Sequence, residues 1–361
     1  MLRERIYIYC GLTLALLMAA PDGWARREAL TQEQKQQLQK IDRILLDVLA
    51  LTDRGEADAV PFRELIGKRF RELGYTIVSD PVQPYDVVFK VKCEQRKVWG
   101  GTMASGGDAD LPDSPMRTWK GPACQLTYLL DGKSTQWRKE VRTKFADAVE
   151  AAEKAKADDP GVYALDHLKQ RLQEYDFPVL ATADWGQDER LLKILAEGST
   201  SANRKIRTIR SLGEMFSTQA VPQLQAALKD PDPDVGKAAA IALGNIGHRE
   251  SIASLIDMLK SGKPEQKVAA ARALGKVGAL HGDTSIIPPL LEALNTDDLV
   301  LKTEVVWALG QLPDRRAYEP LVKLQRSLRN VRTSDRASQE GKLWDAVNYS
   351  IKQLDGFDQI N

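Results

Sequence analysis

The sequence predicts a small α+β domain followed by an all-α solenoid of stacked helical hairpins. A ten-residue pattern returns four times in the second half of the chain, as RTIRSLGEMF (207–216), AAAIALGNIG (238–247), AAARALGKVG (269–278) and EVVWALGQLP (304–313). The first half instead mixes helical and strand periodicities. A pattern that returns every 31 to 35 residues is typical of repeat proteins, whose units bury their apolar faces against one another.

The composition is that of an ordinary soluble globular protein. The chain of 361 residues, long enough for two or three domains, carries 51 basic and 50 acidic residues, and the two signs are interspersed. Nucleic-acid binding usually requires a basic patch or excess. The sequence therefore predicts no nucleic-acid partner.

The first 25 residues follow the three-part plan of a secretory signal peptide. Two arginines precede an apolar run from about Ile6 to Ala20, and a small-residue site ends at Ala25. The run is shorter than the ~20 residues that a membrane-spanning helix requires. We expect cleavage after Ala25, loss of Cys10 with the signal, and a periplasmic or secreted bacterial protein that does not insert into the membrane. The alternative is an uncleaved membrane anchor.

Residues 31–175 are predicted to form the α+β domain, with helices flanking an antiparallel sheet. Apolar residues recur at helical spacing in some segments and alternate in others, which predicts helices at 31–52, 61–74, 144–157 and 162–175, and strands near 75–79, 86–98, 123–130 and 134–142. The Gly, Asp and Pro-rich stretch at 100–115 lacks the glycine spacing of a phosphate-binding loop and predicts a flexible hairpin tip. Residues 176–188 break both periodicities and are expected to be a junction.

Two cysteines remain after export, and both fall on apolar faces of predicted strands. Cys93 shares a face with Val91, and Cys124 shares one with Leu126, because alternate residues of a strand point to the same side. Disulfides persist outside the cytosol. We therefore predict a Cys93–Cys124 bridge; the alternative is two buried free thiols.

Residues 189–361 are predicted to form the helical repeat domain. Each unit has an Ala-rich first helix, a Gly-containing turn and a Leu-rich second helix, with a leading half-unit at 190–198 and a capping helix at 343–356. The alanines are expected where helices cross at close range. Gly244 and Gly275 are expected to end their helices in the left-handed conformation.

The repeat resembles HEAT repeats of the short type first described in phycobilisome lyases, over about residues 189–325. In that type, a branched aliphatic residue stands eight positions before the Leu of a closing A-L-G-x-[IVL]-G. Val235 and Leu301 fit the aliphatic position, whereas Gln266 departs from it, and Phe216 and Pro313 replace the second glycine. The resemblance implies an α-solenoid that binds other proteins along a curved face lined by its second helices.

Some members of the family that this chain resembles are enzymes. Those similar to deoxyhypusine hydroxylase bind two iron ions with adjacent His-Glu pairs, but none of the three histidines here (His167, His248 and His281) is followed by Glu. Bilin lyases work in the cytosol, which disagrees with export. The sequence also lacks a G-x-S-x-G elbow and a recognisable Cys-His motif. We therefore predict no catalytic residue, no metal and no cofactor.

The exposed positions of the second helices predict where a partner binds. Residues three apart on a helix share a face, so three columns of side chains are expected along a groove: Gln223, Ala226, Lys229, Ser254, Asp257, Lys260, Glu292, Asn295, Lys323 and Arg326. The columns carry both signs of charge and few aromatics, which favours a polar protein or peptide over lipid or nucleic acid. The alternative is a solvated face without a partner.

These observations together predict a non-catalytic exported scaffold or adaptor that binds a protein partner along its concave helical face. The alternative hypothesis is an accessory or maturation factor for an envelope enzyme or cofactor protein. The identity of the partner and the oligomeric state do not follow from the sequence.

Overall fold

The computed structural model describes residues 30–95, 99–102, 116–119, 121–312, 314–328 and 337–357, with 99–102 and 116–119 described as backbone. The fold class predicted from the sequence is confirmed: an N-terminal region with a sheet precedes a long run of helices. The predicted signal peptide, Cys10, Pro313 and the hairpin tip beyond residue 102 lie outside the described residues.

The N-terminal region contains eight strands and five helices within the described residues. They are α1 (Gln32–Gln39), β1 (Arg43–Thr52), β2 (Gly55–Ala57), α2 (Val60–Arg71), β3 (Thr76–Val78), β4 (Val87–Glu94), β5 (Trp99–Thr102), β6 (Met116–Trp119), β7 (Ala123–Leu130), β8 (Lys133–Arg142), α3 (Ala148–Ala155), α4 (Pro160–Glu174) and α5 (Phe177–Asp184). The main sheet has the order β2-β1-β4-β7-β8, with β3 also paired to β1. A separate antiparallel ladder joins β5 and β6.

The helix predicted over 31–52 is wrong beyond residue 39. A Thr31 capping box starts α1, which ends at Gln39, and the segment RILLDVLALT forms β1. Ile44, Leu46, Val48 and Ala50 are all buried on the core face of this strand. The opposite face is half-buried and carries Leu45, Leu49 and Leu51. The leucines of the strand therefore also match a helical spacing, and periodicity alone does not separate the two structures.

The expectation of an antiparallel sheet is also wrong, because the sheet is mixed. β1 runs parallel to both β3 and β4, whereas β4, β7 and β8 are antiparallel neighbours. Parallel neighbours need a crossover connection of a dozen or more residues. Here the chain supplies it between β1 and β4 through α2.

The predicted disulfide is present between Cys93 and Cys124. The two cysteines are direct cross-strand partners on β4 and β7, and both side chains are fully buried. Phe89 and Tyr128 form another cross-strand pair on the same face. The bridge therefore lies in the core of the sheet, between its two central antiparallel strands.

The expected junction at 176–188 is a folded part of the core. Phe177–Asp184 forms α5, and both Phe177 and the following Trp185 are fully buried. Their rings pack against Phe70, with centroids at 5.5 and 6.0 Å. The buried apolar contacts thus continue from the sheet into the first helices of the repeat domain.

The repeat domain contains ten helices within the described residues. They are α6 (Asp188–Ala196), α7 (Ala202–Glu214), α8 (Val221–Ala227), α9 (Pro233–Ile246), α10 (Ser251–Ser261), α11 (Pro264–His281), α12 (Ile287–Ala293), α13 (Leu299–Gly310), α14 (Tyr318–Ser327) and α15 (Gln339–Phe357). The first helices of successive units are α7, α9, α11, α13 and α15, and each packs on the next. None of the described helices combines the length and the apolar character that a membrane crossing requires.

Gly244 and Gly275 do not end their helices, contrary to the expectation from the sequence. Both lie inside first helices, and a Cβ on either would come within 2.8 to 2.9 Å of the Cα of an alanine in the next first helix, Ala273 or Ala308. The left-handed position falls instead at Gly247, with φ 72°. The repeated glycine is therefore a point of close helix approach rather than a cap.

The longer spacing before the fourth unit lengthens a helix rather than a turn. In the third unit α11 continues to His281 and ends at Gly282 in the left-handed conformation, with φ 59°. At the end of the stack, α15 packs on α13 and α14. Its outward-facing Lys342, Asp345 and Lys352 are exposed, which gives the last unit the polar surface that a terminal repeat requires.

The disulfide is expected to make a large contribution to stability. Replacing both cysteines by alanine removes a bridge across a sequence separation of 31, which the chain-entropy model values at about 3 to 4 kcal/mol. Denaturant unfolding of the oxidised protein and of the Cys93→Ala/Cys124→Ala variant measures the difference. A reductant should destabilise only the protein with cysteines, and equal stability of the oxidised protein and the variant would contradict the prediction.

The close approach at Gly244 is expected to tolerate no side chain. In Gly244→Ala the added methyl group would overlap Ala273, so we expect a loss of about 1 to 3 kcal/mol in unfolding free energy, as for overpacked cores. The matched control is Gly198→Ala, where a Cβ would meet no heavy atom within 4 Å. Equal urea midpoints for the two variants would show that the helices adjust without cost.

Candidate partner-binding groove

The second helices α8, α10, α12 and α14 follow one another along one side of the repeat domain. Each has a fully buried leucine at the same place in its unit, and these are Leu224, Leu255, Leu290 and Leu321. Since residues three or four apart share a helix face, burial of this leucine fixes which positions point outward. We call the outward-pointing residues of these four helices the second-helix face.

The residues predicted to line a groove lie on this face. Nine of the ten are exposed, and Ser254 is half-buried: the exposed ones are Gln223, Ala226, Lys229, Asp257, Lys260, Glu292, Asn295, Lys323 and Arg326. Equivalent positions in successive units have the same spacing from the buried leucine of their own helix. The constant spacing of the repeats therefore places these residues on a common surface.

Two clefts open between neighbouring second helices, and both contain predicted residues. The first, of about 230 Å³, is lined by Lys229, Ser254 and Asp257. The second, of about 340 Å³, is lined by the equivalent set in the next unit, Lys260 together with Glu292 and Asn295. Clefts of the same construction thus recur one unit apart.

Four predicted residues line neither cleft. They are Gln223, Ala226, Lys323 and Arg326. The floor of each cleft comes instead from the next first helix, through Gln266 in the first and Leu301 in the second. Those two residues hold the same repeat position in the sequence, but their contribution to the clefts depends on how neighbouring units stack, which the sequence alone does not indicate.

The charges in the clefts are largely uncompensated. Within the described residues, neither lysine of the pair Lys229 and Lys260 has an ion-pair partner. Asp230 beside them is engaged with Lys205 at 2.8 Å. Burial acts to raise the pKa of Asp230, but the hydrogen bonds from Lys205 and from the Asp232 N–H outweigh it and the pKa is lowered. The exposed lysines are therefore available to a ligand.

Two of the three histidines make hydrogen-bonding contacts with backbone carbonyl groups. His281 Nε2 lies 2.7 Å from the carbonyl oxygen of Gly247. His167 Nδ1 lies 3.0 Å from the carbonyl oxygen of Tyr163, and its ring packs on Tyr163 and Phe145. In the part of the chain that the structure describes, no three His, Cys, Asp or Glu side chains converge as metal ligands.

A network of ion pairs around the buried carboxylate of Asp176 joins the repeat domain to the α+β region. Arg69 on α2 contacts Asp176 at 2.7 Å, with side-chain exposures of only 11% and 4%. Arg204 on α7 lies 3.6 Å from the other oxygen of Asp176 and 3.4 Å from Glu72. These groups line a cleft of about 620 Å³ with Arg207, whose guanidinium donates to the Glu174 carbonyl at 3.0 Å.

The three arginines of this cleft are thus committed to groups of the chain itself. The cleft is a seam between the two regions rather than a site with free cations. No sequence motif signals it, because its members come from separate helices and meet only through the fold.

A second polar network fixes the same seam. Gln187 Nε2 donates to the carbonyl oxygens of Leu38 and Ile41 at 3.0 and 2.8 Å, and its Oε1 accepts from the Tyr75 hydroxyl. Nearby, Asp184 accepts a hydrogen bond of 2.5 Å from the Tyr128 hydroxyl. Burial raises the pKa of Asp184, while this hydrogen bond and the charge of Lys139 oppose the rise.

Comparison with known proteins supports the interpretation of the helices. Residues 189–266 and 253–336 match the family model of HEAT repeats. Residues 189–336 carry HEAT repeats. HEAT repeats form helical scaffolds that typically mediate protein–protein interaction, and the family is generally non-catalytic.

Whole-chain similarity is low. No curated protein matches the chain. Among solved structures, the crystal structure of an engineered protein determined by the Northeast Structural Genomics Consortium is 22% identical, over 50% of this chain and 84% of that chain, with a TM-score of 0.37.

The ion pair at the seam is expected to be sensitive to loss of one partner. Asp176→Ala removes the nearer carboxylate of the buried Arg69 guanidinium and leaves only Glu72, at 3.7 Å, which costs about 3 kcal/mol in unfolding free energy. Thermal and denaturant unfolding measure this. Arg54→Ala, which removes an ion pair with an 80%-exposed arginine, is the control and should leave the midpoint nearly unchanged. Equal effects of the two substitutions would contradict the role of burial.

Proposed function

We propose that this protein is an exported, non-catalytic scaffold whose second-helix face binds a polar segment of a partner protein. The observation that carries the proposal is the pair of equivalent clefts one unit apart, each with a lysine and a carboxylate. A site that recurs with the repeat suits a ligand that also extends along the repeat, as a polypeptide does. A small molecule would need only one cleft.

The chemistry of the face supports a polypeptide over other ligands. Lys229 and Asp257 in one cleft, and Lys260 and Glu292 in the next, offer alternating charges to the side chains of a partner. Neither cleft contains an aromatic side chain on which bases could stack. The mixed charge also lacks the positive excess that a phosphate backbone requires.

The disulfide supports export. Cys93 and Cys124 are bridged, and structural disulfides persist mainly in oxidising compartments such as the periplasm. Together with the charged start and apolar run of the first 25 residues, this favours a periplasmic or secreted protein.

Charge reversal on the second-helix face is expected to abolish partner binding. The full chain is expressed in a bacterial host, recovered from the periplasmic fraction with its signal removed, and used to capture proteins, which are quantified by mass spectrometry. Lys229→Glu, Lys260→Glu and Lys323→Glu together should remove the captured partner at moderate salt, because three outward cations change sign.

The matched control reverses three exposed lysines of the first helices, namely Lys276, Lys342 and Lys352. It changes the net charge equally and should retain the partner. Circular dichroism confirms that both variants are folded. If both lose the partner equally, or if the unmodified protein captures none reproducibly, the second-helix face is not the binding surface.

A further inference from the structure

One edge of β1 is only partly covered by other strands. Along its other edge, β1 pairs with β4 from Ile44 to Leu51. On the partly covered edge, β3 pairs with residues 43–45 and β2 pairs with residues 50–52. The described part of the chain places no strand against residues 46–49. We call this gap the strand slot.

The backbone groups of Leu46 and Val48 point into the strand slot. The Asp42 carbonyl accepts from the Thr76 N–H on the β3 side, whereas the Arg43 carbonyl accepts from the Asp86 N–H on the β4 side. Because the backbone groups of successive residues in a strand alternate between the two edges, even-numbered residues of β1 face β3, the slot and β2. The pairing of Leu45 with Val78 takes up the Leu46 N–H, so the Val48 N–H and the carbonyl groups of Leu46 and Val48 are presented to the slot.

A cleft of about 590 Å³ occupies this position. Four successive residues of β1, from Leu45 to Val48, line it. Since successive side chains of a strand point to opposite faces, a cleft that touches all four includes the edge of the strand. Its contact with Val88 on β4 shows that it also extends over the face that carries Leu45. The remaining walls are Arg63, Glu64, Arg71, Ile77, Val78, Ser79, Pro81 and Val88.

The slot is closed at both ends. At about 3.3 Å per residue, its four residues span roughly 13 Å, and β2 and β3 lie on the same line at either side. A strand that continued in both directions would collide with them. A polypeptide that ends inside the slot has to leave the line of the strand at one end only, so the geometry favours a chain terminus.

The charges around the slot favour a carboxyl terminus over an amino terminus. Arg63 and Arg71 are exposed and have no ion-pair partner among the described residues. Asp47 is paired with Lys90 at 2.9 Å, which leaves Glu64 as the one uncompensated carboxylate of the lining. Two guanidinium groups against one carboxylate leave a positive charge in excess.

Arg71 is positioned at the slot by a close packing contact. Its Nη2 lies 3.2 Å from the place where a Cβ of Gly67 would be, and Leu46 Cδ1 lies 3.5 Å from the same point. The guanidinium therefore packs over the helix glycine next to the slot strand. Arginine binds carboxylates through two parallel N–H donors.

We propose that the strand slot binds the last few residues of a partner protein as an added β-strand, with the terminal carboxylate on Arg71. Backbone hydrogen bonds to Leu46 and Val48 supply affinity, as in other cases of strand addition to a sheet edge. The site is separate from the second-helix face, so either can fail while the other stands.

Hydrogen exchange of the free protein is the first test. The amide of Val48 should exchange about tenfold or more faster than those of Leu45 and Asp47, which face β4, because unpaired amides lack protection. Equal protection would show that the slot is already filled. Protection that grows with protein concentration would show that a second copy fills it, which would also overturn the proposal.

Peptide binding is the second test. A library of random N-acetylated hexapeptides with free carboxyl termini is passed over the immobilised full chain, beside the same library with amidated termini. Enrichment should occur from the free acids only. The best peptide should slow exchange at Val48 about tenfold. No enrichment, or equal enrichment from both libraries, would overturn the proposal.

A pair of variants on one helix tests the role of Arg71. Arg71→Gln should weaken the selected peptide about tenfold, as expected for a hydrogen bond to a charged group. Lys68→Gln, exposed on α2 but outside the lining, removes the same charge and should leave affinity unchanged. Equal weakening would indicate long-range charge attraction rather than a carboxylate contact at Arg71.

Discussion

The approach of one first helix to the next through a single glycine sets the spacing of the repeat domain. Gly213, Gly244 and Gly275 each leave room for an alanine of the following helix, and a Cβ at any of them would lie 2.8 to 2.9 Å from it. Because the first helices stack this closely, the second helices are placed one unit apart in register. Equivalent clefts between the second helices follow from that spacing.

The seam beside α5 extends this order into the α+β region. The contact of Arg204 with the buried Asp176 and the hydrogen bonds of Gln187 connect helices of both regions, and the apolar core is continuous across them. Inter-domain surfaces without such contacts usually permit relative motion. A rigid seam gives the second-helix face a fixed position relative to the sheet. Two ligands, or two parts of one ligand, would thus meet the protein at a constant separation, which raises the effective concentration of the second contact.

The repeats could be predicted from the sequence because their signal is both local and periodic. The roles of individual glycines could not, since a glycine near the end of a helix has the same sequence pattern whether it caps the helix or admits a neighbour. The structure separates the two at Gly244 and Gly247, three residues apart. β1 could not be predicted for a related reason. A strand that is buried on one face and half-buried on the other carries leucines at both the strand spacing and the helical spacing. The disulfide was easier to predict, because strict alternation in β4 and β7 places each cysteine on the apolar face of its strand.

Binding surfaces differ in how far the sequence determines them. The positions of the second-helix face follow from the spacing of the repeats, since Leu224 and its equivalents are buried in every unit. The strand slot depends instead on β2, which pairs with β1 through a tight turn, and on β3, which reaches the same edge only after α2 has returned the chain to it. Nothing in the sequence around Leu46 and Val48 indicates that backbone groups at these positions are unpaired. In a repeat domain, the local sequence determines which residues are exposed. In a mixed sheet, the open edges depend on the order in which the strands pair, and this order is seen only in the folded chain.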